Sequence, residues 1–262
     1  MLIEVKGLVI RTMDLSDNDK LLTLFTEERG KMTVVANGSR ALKSRYLAAA
    51  QLFCYASYVL YQKGERYWVR EVNLIESFFD LRADLTRTAL AAYMCDVADD
   101  VVEENAPEKD FLRLVLNSLF ATASGKYSQK LIKAAFEMRA ASILGFCPML
   151  TACHSCGAEG EETYLDVMNG YVLCRECYAT NQHRDVPLSS EDIHTSRIIC
   201  PLSVGARVAL IYTSACPLER LFSFKLEGKD FDLFCAAAEH YLLNHLERGF
   251  KSLEFYKQIS DL

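Results

Sequence analysis

The 262-residue sequence predicts a multidomain α+β protein: an N-terminal β-barrel, then a helical domain with a four-cysteine ribbon inserted into it. Three observations predict this. About five short runs of strand-forming residues crowd into the first eighty positions. The apolar period lengthens from about two to about 3.6 residues near Leu81. Two identical clasps, Cys153-x-x-Cys156 and Cys174-x-x-Cys177, are separated by seventeen residues.

The elements follow in order. Ile3 to Arg11 alternates only partly but is rich in Val, Ile and Leu. Leu21 to Phe25 and Lys31 to Ala36 flank Glu27-Glu28-Arg29-Gly30, a hairpin-like connection. Leu52 to Gln62 and Tyr67 to Ile75 flank Lys63-Gly64-Glu65-Arg66, a second hairpin. Five strands with no long helix between them suit a small barrel of the OB-fold type. Asn37 to Arg45 forms a polar, basic loop between the hairpins, and loops of this kind flank the binding face of such barrels. From Leu81 onward Leu81, Leu85, Leu90, Tyr93, Met94 and Val97 make a helical stripe. Pro107 starts a second helix carrying Phe111, Leu114, Val115 and Leu119. A third runs from Ser128 to Leu144 and stops at Gly145. Beyond the ribbon, Ser189-Ser190-Glu191-Asp192 reads as a capping box, and helices are expected around 190–200, 204–215 and 230–248. The expected domains are therefore a barrel over 1–80, a helical domain over 81–148 and 183–262, and the ribbon over 149–182.

The clasp spacing is that of a tetrahedral zinc site. Glu162 to Met168 and Tyr171 to Leu173 are strand-like, and Asn169-Gly170 between them is a turn signal that returns the second clasp to the first. Gly157 suits the tight turn around the sulfur atoms. Two disulfides, a redox C-x-x-C or coincidence are the competing readings. Paired clasps with an Asn-Gly turn between them favour one zinc held by Cys153, Cys156, Cys174 and Cys177. Four thiolates fill the tetrahedron and leave no place for a reacting water, so the metal is structural. His154 lies inside the first clasp and competes as a ligand only if a cysteine is displaced; His183 reads as a loop residue. The ribbon itself is acidic: over 150–182, Glu159, Glu161, Glu162, Asp166 and Glu176 face a single Arg175, a net of −4.

Net charge is −6, yet between Arg29 and Arg70 there are eight basic residues and one acidic residue, Glu65. That window is +7 and the remainder of the chain −13. Its cations are interleaved with Tyr46, Tyr67 and Trp68, which favours a surface for a polyanion over a merely solvated face. The other six of the ten cysteines are scattered singly, and no signal peptide or eighteen-residue apolar stretch is visible, so a cytoplasmic protein is expected. There is no Walker A or G-x-G-x-x-G loop, no H-E-x-x-H and no G-x-S-x-G. Asp14, Asp17 and Asp19 lack the glycine and glutamate of a calcium loop and read as a polar turn. Nothing in the sequence forms an active site, and a non-enzymatic protein is expected.

Gly7 to Arg11, Asp19 to Thr26, Glu28 to Ala36, Gly38-Ser39-Arg40, Lys43-Ser44-Arg45-Tyr46 and the two clasps, in this order, resemble the RecO family of DNA repair and recombination mediators. The resemblance spans nearly the whole chain and is strongest over 1–80 and 145–180. It departs at Asn37, where the family pattern carries lysine. It implies an accessory protein that binds single- and double-stranded DNA and anneals complementary strands. It further implies a ring-forming RecR partner and help for the recombinase RecA in displacing single-stranded-DNA-binding protein. The candidate phosphate contacts are Arg40, Lys43 and Arg45 on the loop, then Lys31 and Arg66; Tyr46 and Trp68 are candidates for base stacking, with barrel-core packing as their other reading. The resemblance also implies a site for the acidic, hydrophobic tail of the single-stranded-DNA-binding protein. Lys130, Lys133 and Arg139 are basic positions for it, although ordinary helix solvation explains them equally well. Two readings compete: a zinc-ribbon scaffold joining proteins without touching DNA, and a thiol-redox enzyme.

Overall fold

The computed structural model describes residues 1–41, 44, 46–182 and 198–260. They form two compact units, one of Met1–Lys126 with the C-terminal segment from Phe250, the other of Tyr127–Gly249. Lys43, Arg45, His183 and the capping box at 189–192 lie outside the described residues.

The first unit opens with five strands: β1 (Leu2–Asp14), β2 (Lys20–Thr26), β3 (Gly30–Ala36), β4 (Tyr55–Lys63) and β5 (Arg66–Glu76). They close a barrel in the order β1-β2-β3-β5-β4. β1 completes it by pairing antiparallel with β4 from Leu2↔Tyr61 to Leu8↔Tyr55, and β3 meets β5 in parallel at Val34↔Tyr67 and Val35↔Trp68. Side chains alternate across a strand, so Val5, Val9, Leu22, Leu24, Val34, Ala56, Tyr58 and Leu60 turn inward into one core. β4 begins at Tyr55, three residues later than the alternating pattern suggests. The cause is Phe53, which takes φ +71° and donates its N–H to the Val9 carbonyl at 2.9 Å, while the Val9 N–H bonds Cys54 O at 2.9 Å. The loop's end is thereby stitched to the bulge in β1 between Val9 and Arg11.

β1 is buried on both faces. Leu8 and Ile10, which alternate with Val9, are also buried, as is Phe25 on β2. They lie under α1 (Leu85–Val101), which packs on β1, and α2 (Lys109–Ser124), whose Phe111 ring sits 6.1 Å from that of Phe25. Double burial explains why this strand reads as an apolar run rather than an alternation. Asp84 caps α1, accepting from the N–H groups of Thr86 and Arg87 at 2.8 and 3.1 Å. An additional C-terminal helix, labelled α7 below, covers α1.

The second unit holds α3 (Gln129–Ile143), β6 (Thr163–Asp166), β7 (Tyr171–Cys174), α4 (Arg175–Gln182), β8 (Ile199–Leu202), α5 (Val204–Ala215) and α6 (Gly228–His245). Ser128 caps α3, and α3 packs on α5 and α6. The three strands form a sheet in the order β7-β6-β8. The helix expected around 190–200 is corrected where it is described: residues 199–202 are strand, because they pair edge-on with β6 and extend the ribbon's hairpin. The turn between β6 and β7 is also longer than a two-residue turn. Asp166↔Tyr171 is the last pair, and the Asp166 carboxylate folds back to accept from the Asn169 N–H and side-chain amide. Back in the first unit, α7 (Lys251–Ser260) was not anticipated from the sequence. It buries only Leu253 and Tyr256, too sparse a stripe to read, and is held by Phe250 against Tyr93 and by Ser252 Oγ donating to Asp96 at 2.6 Å.

Lys133 is a buried group and Arg139 a half-buried one, and both are engaged within the second unit. Arg139 donates to the Cys216 carbonyl. The Lys133 ammonium lies 2.9 Å from Glu137 and 2.6 Å from Glu239, and Glu137 is fully buried. Desolvation opposes the Lys133 charge, but the two carboxylates outweigh it and raise its pKa above the usual 10.5.

Two measurements test this packing. Lys133→Met strands two carboxylates and is expected to cost about 3–5 kcal/mol in urea denaturation at neutral pH. Because the folded pKa of Lys133 is raised, its contribution is complete below pH 10.5 and disappears as pH climbs through the folded value, so the wild-type midpoint falls in that alkaline range. Gly30 (φ +59°) has no room for a side chain, since a Cβ would meet the carbonyl oxygens of Glu103 and Ala106 at 2.3 Å, whereas Gly64 (φ +60°) faces open space. Gly64→Ala is expected to cost about 1–2 kcal/mol and Gly30→Ala roughly 2–5 kcal/mol, with equal losses refuting the close packing of 103–106 on β3.

Candidate functional site

The cysteine clasps are brought together by the β6–β7 hairpin. Cys153 precedes the hairpin, Cys174 ends β7, and Cys177 lies in the first turn of α4. The four Sγ atoms all lie within 4.8 Å of one another, and Cys156 and Cys174 are 3.7 Å apart. Thiolates at about 2.3 Å from a tetrahedral ion stand about 3.8 Å from each other, so the donor set fits one metal ion. Gly157, at φ +73°, donates its N–H to the Cys153 carbonyl at 2.8 Å and closes the first clasp. The Cys177 N–H points at the Cys174 sulfur at 3.5 Å. Burial opposes ionisation of Cys153, yet backbone N–H groups near its sulfur bring the thiol down to about 6. Cys177, hydrogen-bonded to Cys156 and Cys174, is pushed up to about 12. A dication held by the four sulfurs would favour their thiolate forms. His154 is not a ligand: its ring stacks on Tyr171 at 4.2 Å. Tyr164 stacks likewise on Tyr178 at 4.1 Å, so each clasp is braced by an aromatic pair.

On the barrel, the loop after β3 lies over the turn between β1 and β2. Gly38 N–H donates to Asp19 Oδ1 at 2.7 Å and Arg40 N–H to Asn18 O at 3.1 Å. This is the role of the aspartate-rich turn, whose Ser16 hydroxyl also bonds Asp19. The Arg40 guanidinium donates to Ser16 O at 2.8 Å and pairs with Asp14 at 3.4 Å, leaving it partly exposed with part of its fork engaged. Lys31 turns toward α1, where its ammonium donates to the Asp99 carbonyl and sits 3.4 Å from the Asp99 carboxylate. Arg66 is exposed at the β4–β5 turn, paired across it with Lys63. Tyr46 packs against the barrel core, and its hydroxyl donates to the Arg70 carbonyl at 2.5 Å. Trp68 is half-buried on the outer face.

Sequence reasoning passed over the neighbours of Trp68. Tyr61 stands directly opposite it across β4 and β5, with ring centroids 6.2 Å apart. The Arg70 guanidinium lies 5.0 Å from the Tyr61 ring. These three, with Asn37, Lys63 and Val69, line a cavity of about 230 Å³. The signal was present: Tyr61, Lys63, Arg66, Trp68 and Arg70 are the residues that a period of two sends to one face of a hairpin with a two-residue turn.

The comparisons with known proteins agree along the chain. Residues 1–78 match the family model described as recombination protein O N terminal, and residues 82–254 match recombination protein O C terminal. The chain is 30% identical over 258 residues to a DNA repair protein RecO of Acetivibrio thermocellus, covering 98% of this chain and 97% of the relative. It is 32% identical over 259 residues to that of Symbiobacterium thermophilum, covering 97% and 96%. It is 32% identical over 258 residues to that of Desulforamulus reducens, covering 98% and 94%.

Protein purified without chelator is expected to carry one bivalent metal ion per chain by elemental analysis. Cys174→Ser and Cys177→Ser should lose it, and Cys147→Ser, an exposed thiol outside the quartet, should keep it. Metal-free wild type would refute the four-thiolate centre.

Proposed function

The chain belongs to the RecO family of DNA repair proteins, and on that premise we propose that it is a non-enzymatic recombination mediator that binds DNA through its N-terminal barrel. The observation that carries this reading is the concentration of cations and aromatic rings on the open side of the barrel, while the ribbon is acidic. Arg40, Lys43 and Arg45, then Arg66 and Lys31, would neutralise phosphates and release counterions, which gives binding indifferent to sequence and sensitive to salt. Lys31 must leave Asp99 to do so, and it ranks last. Trp68 and Tyr46 are the proposed stacking residues; Tyr46 would serve through its ring while its hydroxyl stays tied. Binding of single and double strands, annealing with their charges screened, and loading of the recombinase RecA onto strands coated by single-stranded-DNA-binding protein follow as proposed activities, with a RecR-type ring as partner.

The proposed domains are the barrel over 1–80, the helical domain over 81–148 and 183–262, and the ribbon over 149–182. Zinc is the proposed metal for Cys153, Cys156, Cys174 and Cys177, supplying cross-linking of the two clasps and no chemistry. No helix among the described residues is long and apolar enough to cross a membrane. A cytoplasmic, nucleoid-associated location is proposed. The runner-up is a scaffold that joins proteins through the exposed acidic ribbon; it requires no DNA affinity at moderate salt.

A titration of a single-stranded oligomer across salt separates the two. Each phosphate contact on a single strand adds about 0.7 to the slope of log K against log salt, so Arg40→Ala/Lys43→Ala/Arg45→Ala should flatten it by about 2. An unchanged slope removes the loop from the interface, and absence of binding in the wild type favours the scaffold.

A further inference from the structure

The barrel presents two outer sides of different character. The β1–β2 side is covered, with Leu8, Ile10 and Phe25 buried beneath α1 and α2. On the β3–β5–β4 side, toward the β4–β5 turn, the outward positions include Asn37, Tyr61, Lys63, Arg66, Trp68 and Arg70, all at least partly accessible, with the exposed Glu71 farther along β5 opposite Val59. From this contrast and the cavity beside Trp68 we propose that the β3–β5–β4 face is a subsite for one unpaired nucleobase, stacked on Trp68 and flanked by Tyr61. The proposal rests on the DNA-binding reading above and adds to it the feature that distinguishes a single strand from a duplex.

The cavity's size and lining support a single ring. At about 230 Å³ it is smaller than the roughly 300–1,000 Å³ that holds drug-sized ligands, and it suits one flat heterocycle rather than a base pair. Its walls are two aromatic rings, and the Arg70 guanidinium fixes the outer one by lying over Tyr61. Asn37 at the rim offers an amide donor and an acceptor to a base edge, which a lysine there would not. Lys63 and Arg66, opposed across the turn, stand where the flanking phosphates would pass. In a duplex both faces of each base are covered by stacking, so only an unpaired base has a face to give. The loop cations Arg40, Lys43 and Arg45 meet phosphates in either form and cannot make this distinction.

The chain has a single tryptophan, so the emission of Trp68 reports on this subsite alone. Three probes are titrated into the full chain, each longer than the roughly 4–16 nucleotides one such barrel covers: an oligothymidylate, an abasic strand of the same length, and a matched duplex. Binding is followed by anisotropy of a label on the probe. The oligothymidylate should quench Trp68 saturably, whereas the abasic strand and the duplex should bind without quenching. Tyr61→Ala should weaken oligothymidylate about 5- to 150-fold and the abasic strand hardly at all, and Tyr61→Phe should keep wild-type affinity. Oligothymidylate that binds while Trp68 emission stays constant overturns the subsite and leaves the DNA reading standing. The same follows if Tyr61→Ala weakens thymidylate and abasic strands alike, or if Tyr61→Phe loses affinity. Should no probe bind, the DNA reading fails and the subsite with it. If Tyr61→Ala does not fold, the wild-type emission and Tyr61→Phe still decide.

Discussion

A five-stranded barrel has no free edges only if its first strand returns to close it, and here β1 carries that duty while also serving as the floor for the helices. Its residues pair with β2 along one edge and with β4 along the other. Val5 and Val9 fill the barrel, and Leu8 and Ile10 fill the space under α1. Because the side chains alternate, one strand satisfies both demands only if nearly every residue in its middle is apolar. That is the reason for Gly7-Leu8-Val9-Ile10, where Gly7 keeps the strand close to Thr26, Leu24 and the Phe25 carbonyl. Fixing β1 in this way also fixes what is left over. Helices take the β1–β2 side, and solvent keeps the β3–β5–β4 side.

The second unit obeys a different constraint, that of charge. Leu150, Leu165, Val167 and Val172 of its ribbon are buried, but the clasp end has little apolar interior: the buried group there is Cys153, Leu173 and Cys174, with Tyr171, Cys177 and Tyr178 packed beside them. An end so poor in apolar contacts is where a staple would act. The sulfur atoms are already gathered, but their thiols pull in opposite directions, one down to about 6 and another up to about 12. A dication at the four sulfurs would favour the thiolate form of all of them. The sheet shared with β8 and the close approach of Gly170 to the Tyr241 hydroxyl tie the ribbon to the helices of the same unit.

Most of the architecture was legible because it rests on short-range pattern. Period, turn glycines and caps located the strand runs, the first three helices and the hairpin between the clasps. Legibility failed where distant parts decide. Phe53 leaves the strand because Val9, far away in sequence, offers it a carbonyl. Residues 199–202 become strand because β6 has an unpaired edge to fill. α7 exists because Tyr93 and Asp96 await it. Lys133 and Arg139 look like surface cations in a helix pattern, and only the packing of α3 on α5 and α6 shows where their charges go. In the candidate site, the cysteine quartet could be read from spacing alone. The partner of Trp68 required the register as well, which the two-residue turn at Gly64-Glu65 sets.

Charge counts alone say little about where a polyanion would bind on a chain of net −6. What matters is which cations remain available once the fold has used its share. Lys133 is consumed by Glu137 and Glu239, Lys31 by Asp99, and Arg40 in part by Asp14. Surface pairs of the last kind contribute little and are easily exchanged for a phosphate, whereas a buried pair is not. The exposed cations of the β4–β5 turn need no such exchange. They also lie beside the aromatic rings of Tyr61 and Trp68. The physical division is therefore between an acidic ribbon that gathers four cysteine sulfurs and a barrel side, left bare by the demands on β1, that carries cations beside aromatic rings.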